Sequence, residues 1–299
     1  MFEFKTRQRV ITIGKVKVGG FPGENPTVLI GTIFYLGHKI VTDDKRGEFD
    51  KKKAEELINN QERMSDLTGN PAMIDVVGNT EEAIRKYIDF VAGVTDMPIL
   101  VDSISADVRL KGMKYAMEVG LSDRVVYNSL LPDFKKEEIN GLKEIGVRNI
   151  VLLTFTSDIL TTRGRLVAFK NLLDAVTEIG INNIMVDTCV IDVPSLGLAM
   201  HAIFKIKDEF GYPAGCGAHN AVATWRGLRR KMGDIAVKPA LAVASTIPVV
   251  TGADFILYGP IEHADIIFPT VAMVDAIYGF MLRERGIKVG KEHPLFKIA

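Results

Sequence analysis

Short runs of apolar, largely β-branched residues alternate along this chain with longer runs whose apolar positions recur every three or four residues. The short runs read as strands buried on both faces, the longer ones as helices that cover them. Eight strands are predicted, over residues 27–34, 72–77, 99–104, 124–129, 149–155, 183–190, 214–220 and 254–259. Punctuation supports the helices between them. Asp50 is a candidate cap for a helix over 51–64, with Phe49 as its staple residue. Thr80 precedes Glu81 and Glu82, an acidic first turn for a helix reaching about Val91. Asp107 opens a helix that Gly120 closes, and Gly146 and Gly180 each end a helix just before a strand.

Eight strand–helix units predict an α/β fold, a (β/α)8 TIM barrel, in a single domain spanning 1–299. A doubly wound open sheet requires a G-x-G-x-x-G turn after its first strand, and GTIFYLGHK does not supply one. Residues 1–26 stand outside the repeat. Within them VITIGKVKVGG reads as a hairpin turning at Gly14-Lys15, expected to close the bottom of the barrel.

Composition narrows the function classes. A formal net charge of zero gives no field for a polyanion, so no nucleic-acid partner is expected. Two cysteines, Cys189 and Cys216, make no disulfide framework and suit a reducing compartment. The stretch MFEFKTRQRV has no apolar core of a signal peptide. The longest uncharged run, 239–253, is too short to span a bilayer and contains Pro248 and Gly252, so no direct membrane insertion is expected.

In a TIM barrel the chemistry sits at the C-terminal ends of the strands. Polar side chains stand late in five of the eight runs: Asp75, Asp102, Asn128, Asp187 and Asn220, with Glu262 just beyond the last strand. Each aspartate alone reads equally well as a cap at the barrel rim. Converging on one mouth, the three carboxylates and two amides read better as a shared ligand site, because buried carboxylates are costly unless partnered. Acceptors without lysine or arginine among them suit a ligand rich in N–H donors, such as a pterin ring.

This late-strand set resembles that of the pterin-binding barrels, which include dihydropteroate synthase, the folate domain of cobalamin-dependent methionine synthase and the acetogenic methyltetrahydrofolate:corrinoid methyltransferase. The stretches GGFPGENPTVLIGTIFYLGHKIV, TGNPAMIDVVGNT, EVGLSDRVVYNS, GYPAGCGAHN and ADFILYGPIEHADIIFPTVAMVDAIYGF are similar to the H-subunit family of methanogen tetrahydromethanopterin:coenzyme M methyltransferases. The resemblance implies a methyltransferase of archaeal one-carbon metabolism. It would move the methyl group of N-methyl-tetrahydromethanopterin to a cobalt(I) corrinoid supplied by a partner subunit. It implies pterin contacts at Asp75, Asp102, Asn128, Asp187 and Asn220. It also implies a cytoplasmic chain peripherally associated with a membrane complex, with the corrinoid-carrying subunit and the membrane subunits as partners. A homodimer is the expected assembly. A pterin synthase carries a lysine late in its seventh strand and R-x-H at its eighth; Asn220 and Gly-Pro-Ile-Glu here argue against synthesis.

Within this reaction the leaving nitrogen is a very poor anion, so charge must be stabilised or a proton delivered as the C–N bond breaks. Asn220 is the expected hydrogen-bonding partner of that nitrogen, Asp75 the holder of a proton-delivering water, and Asp102, Asn128 and Asp187 the residues that orient the ring. A quaternary-amine donor would instead need aromatic residues at the mouth, and Trp225 offers one. A non-catalytic docking subunit is the remaining alternative, though it has no need of buried aspartates at strand ends.

Other features are discounted or left open. Cys216 and His219 have a C-x-x-H spacing, but on a strand they point to opposite faces, so no metal site is expected. Cys189 reads as a buried small hydrophobe. His38, Lys39, Lys45 and Arg46, in the loop after the first strand, read either as a solvated loop or as partners of the anionic pterin tail. Lys51, Lys52 and Lys53, and the loop from Thr161 to Arg165, carry the same ambiguity.

Overall fold

The computed structural model describes residues 3–158 and 160–299; Met1, Phe2 and Ile159 lie outside it, and with them the first two positions of the N-terminal extension. Its strands are β1 (Val10–Ile13), β2 (Val16–Gly19), β3 (Val28–Ile33), β4 (Val41–Asp43), β5 (Glu48–Phe49), β6 (Ala72–Val77), β7 (Ile99–Asp102), β8 (Val125–Leu130), β9 (Asn149–Leu153), β10 (Asn183–Asp187), β11 (Ala214–Cys216) and β12 (Phe255–Pro260). Eight of them pair parallel and close on themselves in the order β3-β6-β7-β8-β9-β10-β11-β12, with β12 returning to β3. The predicted TIM barrel is therefore the fold.

The helices are α1 (Lys51–Thr68), α2 (Glu81–Val94), α3 (Ala106–Glu118), α4 (Lys136–Ile145), α5 (Thr162–Glu178), α6 (Val193–Phe210), α7 (His219–Ala223), α8 (Leu228–Met232), α9 (Val237–Val250), α10 (Ala264–Met281) and α11 (Pro294–Lys297). The Asp50 and Thr80 side chains cap α1 and α2 by accepting from the N–H groups of Lys53 and Ala83. Helix α3 starts after Ser105, so Asp107 lies in its first turn rather than at its cap.

Two apolar clusters divide the molecule. One lies between the outside of the barrel and its helices. The other fills the barrel: Val28, Ile30, Met73, Leu100, Val126, Val151, Met185, Phe255 and Leu257 from the strands, joined from below by Ile11, Ile13, Val16 and Val18. The last four belong to the antiparallel β1–β2 hairpin, whose alternation puts its apolar side into the barrel's open end. The hairpin closes the bottom, as predicted.

Several expectations change. The loop after β3 holds a second small hairpin, β4–β5, that the pattern of residues does not announce. Five strands end earlier than predicted: β3 at Ile33, β7 at Asp102, β9 at Leu153, β10 at Asp187 and β11 at Cys216. Helix α9 runs through Pro248. One helical segment, Ile261–Arg285, is long and apolar enough to cross a membrane by length and composition, which corrects the expectation that none would be. A search for uncharged runs misses it because Glu262, Asp265 and Asp275 interrupt it. Half of its most apolar window is buried inside the molecule, and Asp275 is held there by Thr27 and Asn70.

Candidate active site

Two-residue periodicity builds the site. The inward-facing apolar layer of the barrel contains Ile30, Met73, Leu100, Val126 and Met185. Two residues further along each strand, on the same face and one layer nearer the C-terminal end, stand Thr32, Asp75, Asp102, Asn128 and Asp187. All five line one cavity of about 960 Å3, which the βα loops wall in. Asn220 and Gly217 line it from beyond β11. The five predicted site residues are thus brought together. Register shifts between Leu257 and Gly259 and between Asn128 and Leu130 fall at the same level, where bulges re-aim side chains.

The carboxylates are not equivalent. Asp75 is anchored: Asn128 Nδ2 donates to its Oδ1 at 3.0 Å and Thr32 Oγ1 to its Oδ2 at 2.9 Å. Burial still pushes its carboxyl up to about 6, against the pull of those two bonds. Burial and the neighbouring Asp75 charge hold Asp102 well above the usual carboxylate range, while Arg109 pulls the other way. Asp187 Oδ1 accepts from the Cys189 N–H at 2.7 Å, and burial raises that carboxyl to about 6. Each acid is therefore easier to protonate near neutral pH than a free carboxyl would be.

Asn220 is not on a strand, because β11 stops at Cys216; it sits in the first turn of α7. Its Nδ2 donates to the Val190 carbonyl at 3.0 Å, and its Oδ1 has no hydrogen-bonding partner among the described residues. The early end of β11 also corrects the expectation for His219. Period-two alternation no longer applies, and His219 lines the cavity while Cys216 is buried in the outer core. The His219 ring packs against Gly259, where φ is +80° and an added Cβ would lie 2.4 Å from the imidazole. Burial lowers the pKa of His219. Both thiols are pushed up by burial and then by the Asp187 charge, Cys189 to about 12, so neither is a thiolate at neutral pH.

Polar contacts behind the cavity wall fix the mouth. Arg109 donates to the Ser103 carbonyl at 2.5 Å and to Glu138 at 3.0 Å, and the Tyr127 hydroxyl donates to the same Glu138 oxygen. This ties down the turn after Asp102. His38, expected in a solvated or tail-binding loop, is instead buried. Its Nδ1 accepts from the Phe34 N–H at 3.1 Å, so its Nε2 carries the proton and donates to Glu262 at 3.0 Å. Sequence reading missed Thr32, Tyr35, His219, His263, Arg226 and Arg229 as cavity residues. Only Thr32 carried a signal, a hydroxyl late in an apolar run. The others depend on how the loops fold back.

A (β/α)8 barrel with a mouth of buried carboxylates and amides is the class that fold and site define. The chain matches the family model described as Tetrahydromethanopterin S-methyltransferase MtrH subunit over residues 6–290, and it belongs to that family of methyltransferase subunits. It is 41% identical to the H subunit of the tetrahydromethanopterin S-methyltransferase of Methanothermobacter thermautotrophicus, across 100% of both chains. It is 38% identical to the H subunit of the putative methyltransferase mtx of Methanosarcina acetivorans, across 99% of each. Among solved structures, the 7,8-dihydropteroate synthase from Vibrio fischeri superposes with a TM-score of 0.61 at 14% identity, over 90% of this chain and 98% of that one. A Yersinia pestis dihydropteroate synthase with a pterine-sulfa conjugate gives 0.59 at 13%, over 91% and 99%. At such identities the likeness is one of fold alone.

Proposed function

We propose that this chain, working as a single domain, binds N-methyl-tetrahydromethanopterin at the floor of the cavity and holds it while the methyl group leaves. The carrying observation is the inward layer of Asp75, Asp102, Asn128 and Asp187. It is an acceptor-rich floor suited to the amino and ring N–H groups of a reduced pterin. A corrinoid carried by a partner subunit supplies, when bound, the cobalt(I) nucleophile that takes the methyl. This chain's residues manage the other half of the step. As the C–N bond breaks, its electron pair stays on nitrogen, which then takes a proton. Asn220 donates a hydrogen bond to that nitrogen. Asp75, pinned by Thr32 and Asn128, holds the water that relays the proton. Asn128, Asp187 and Asp102 orient the ring.

Exposed Leu36, Ile104, Phe155, Leu160 and Ile235 ring the mouth on four βα loops, an apolar rim for the corrinoid-carrying partner. On the side of the barrel, exposed Met273, Ile277 and Phe280 of α10 and Val243 and Val250 of α9 form a stripe that supports a homodimer. Nothing in this reading requires the chain to enter a membrane; a cytoplasmic position on a membrane complex follows from its partners.

Calorimetry with methyl-tetrahydromethanopterin tests the reading, followed by mixing with free cob(I)alamin. Saturable binding and slow loss of the cob(I)alamin absorbance are expected. Binding without any methyl transfer at saturating pterin favours a docking role and sinks the catalytic part. A second donor is favoured by one observation: Tyr35 and Trp225 both line the cavity and offer aromatic faces to a quaternary amine. Competition by such an amine at micromolar concentration would move the assignment to it.

A further inference from the structure

The cavity is chemically divided. Its floor carries three carboxylates, while its α7–α8 wall is cationic: residues 226–238 contain Arg226, Arg229, Arg230, Lys231 and Lys238 against one acid, Asp234. Of the arginines that line the cavity, Arg109 is committed to Glu138 and the Ser103 carbonyl. Arg229 is oriented by Asp234 at 2.5 Å, on a side chain that is 71% exposed. Arg226 has no partner among the described residues. By contrast Arg46, in the loop after β3, does not line the cavity and faces Asp43 at 3.9 Å.

We infer that Arg226 and Arg229 form the subsite for the anionic tail of the pterin substrate. This inference rests on the pterin reading of the floor. A bicyclic ring leaves much of a 960 Å3 cavity unfilled. The part of the substrate bearing phosphate and carboxylates is repelled by the Asp75 and Asp187 carboxylates and must leave toward the opposite charge. Guanidinium groups match phosphate and carboxylate oxygens with two parallel N–H bonds, which lysine cannot do. Trp225, beside Arg226 on the same wall, offers an apolar face to the neutral stretch of the tail. The floor thus reads the ring and the wall reads the tail.

The test compares two ligands on the full chain by calorimetry: tetrahydromethanopterin, and 6-methyl-tetrahydropterin, which has the ring without the tail. The double variant Arg226→Gln with Arg229→Gln is expected to raise Kd for tetrahydromethanopterin by at least about tenfold, as for lost charge-assisted bonds. Its Kd for 6-methyl-tetrahydropterin should not change, and the salt dependence of tetrahydromethanopterin binding should flatten. The Arg→Lys pair should recover part of the loss, and Lys45→Gln with Arg46→Gln should do nothing. Equal weakening of both ligands, or of neither, overturns the tail subsite while leaving the pterin floor standing. If the unsubstituted chain binds neither ligand, the pterin reading itself fails and the subsite with it.

Discussion

The two ends of the barrel bury similar groups and treat them differently. At the bottom every buried acid is saturated. Asp254 accepts from Lys207 at 2.5 Å and from the Ala214 N–H at 2.9 Å. Asp275 accepts from the Thr27 N–H and hydroxyl and from Asn70. Asn149 and Asn183 bond to each other, and Asn149 also to the Val125 carbonyl. At the mouth, among the described residues, half-buried Asp102 has no side-chain partner and the Oδ1 of half-buried Asn220 has no hydrogen-bonding partner. Burying under-partnered acceptors costs free energy; at the bottom that cost falls on a neutral amide oxygen, Asn70 Oδ1, and on no acid, whereas at the mouth it falls on a carboxyl whose bonds a ligand can complete. The bottom is built for stability and the mouth for binding.

The largest test breaks the bottom. Lys207→Met leaves Asp254 buried without its cation and should cost about 3–5 kcal/mol of stability, read by urea unfolding. Pterin affinity of the remaining folded fraction should be unchanged. A loss of affinity comparable to a mouth variant would erase the distinction between the ends.

Next comes the mouth. Asn220→Ala should lower single-turnover methyl transfer roughly a hundredfold, about 3 kcal/mol of transition-state stabilisation, with little effect on pterin affinity or melting temperature. Asp102→Asn should differ, raising Kd at least as much as it lowers the rate. The proposed role fails if Asn220→Ala binds far more weakly yet transfers at the normal rate once saturated.

The smallest effect has the opposite sign and sharpens the comparison most. Burial pushes the Asp187 carboxyl up to about 6 in the folded chain, against 3.8 for a free carboxyl. Between those values the folded chain retains a proton that the unfolded chain has released. Stability therefore falls as pH rises through this window and stays lower above it. Asp187→Asn can still accept from the Cys189 N–H and has no charge to bury. It should stabilise the chain by roughly 2–3 kcal/mol at pH 7.5, with the gain vanishing toward pH 4 and with weaker pterin binding at every pH. Thermal melts across pH check it; destabilisation at pH 7.5 would mean that the mouth is as well satisfied as the bottom.

Much of this is legible in the residues because it is local. A period of two places Met73 and Asp75, or Leu100 and Asp102, on one face, and alternation with amphipathic helices leaves a closed parallel barrel as the economical arrangement. Four of the five site residues follow from strand phase alone. Asn220 reaches the mouth by another route than strand phase, since its strand ends at Cys216 and a short helix carries it there. His38 and His219 exchange roles for the same reason. Loop residues have no period to follow: His38 is buried against Glu262, 224 residues away along the chain, and His219 is held at the cavity beside Leu257, 38 residues away, and Gly259. Likewise the sequence shows Arg226 and Arg229 only as charges in a basic stretch. Closing the barrel is what sets them across from three carboxylates, because only the tertiary fold determines which loops share a wall.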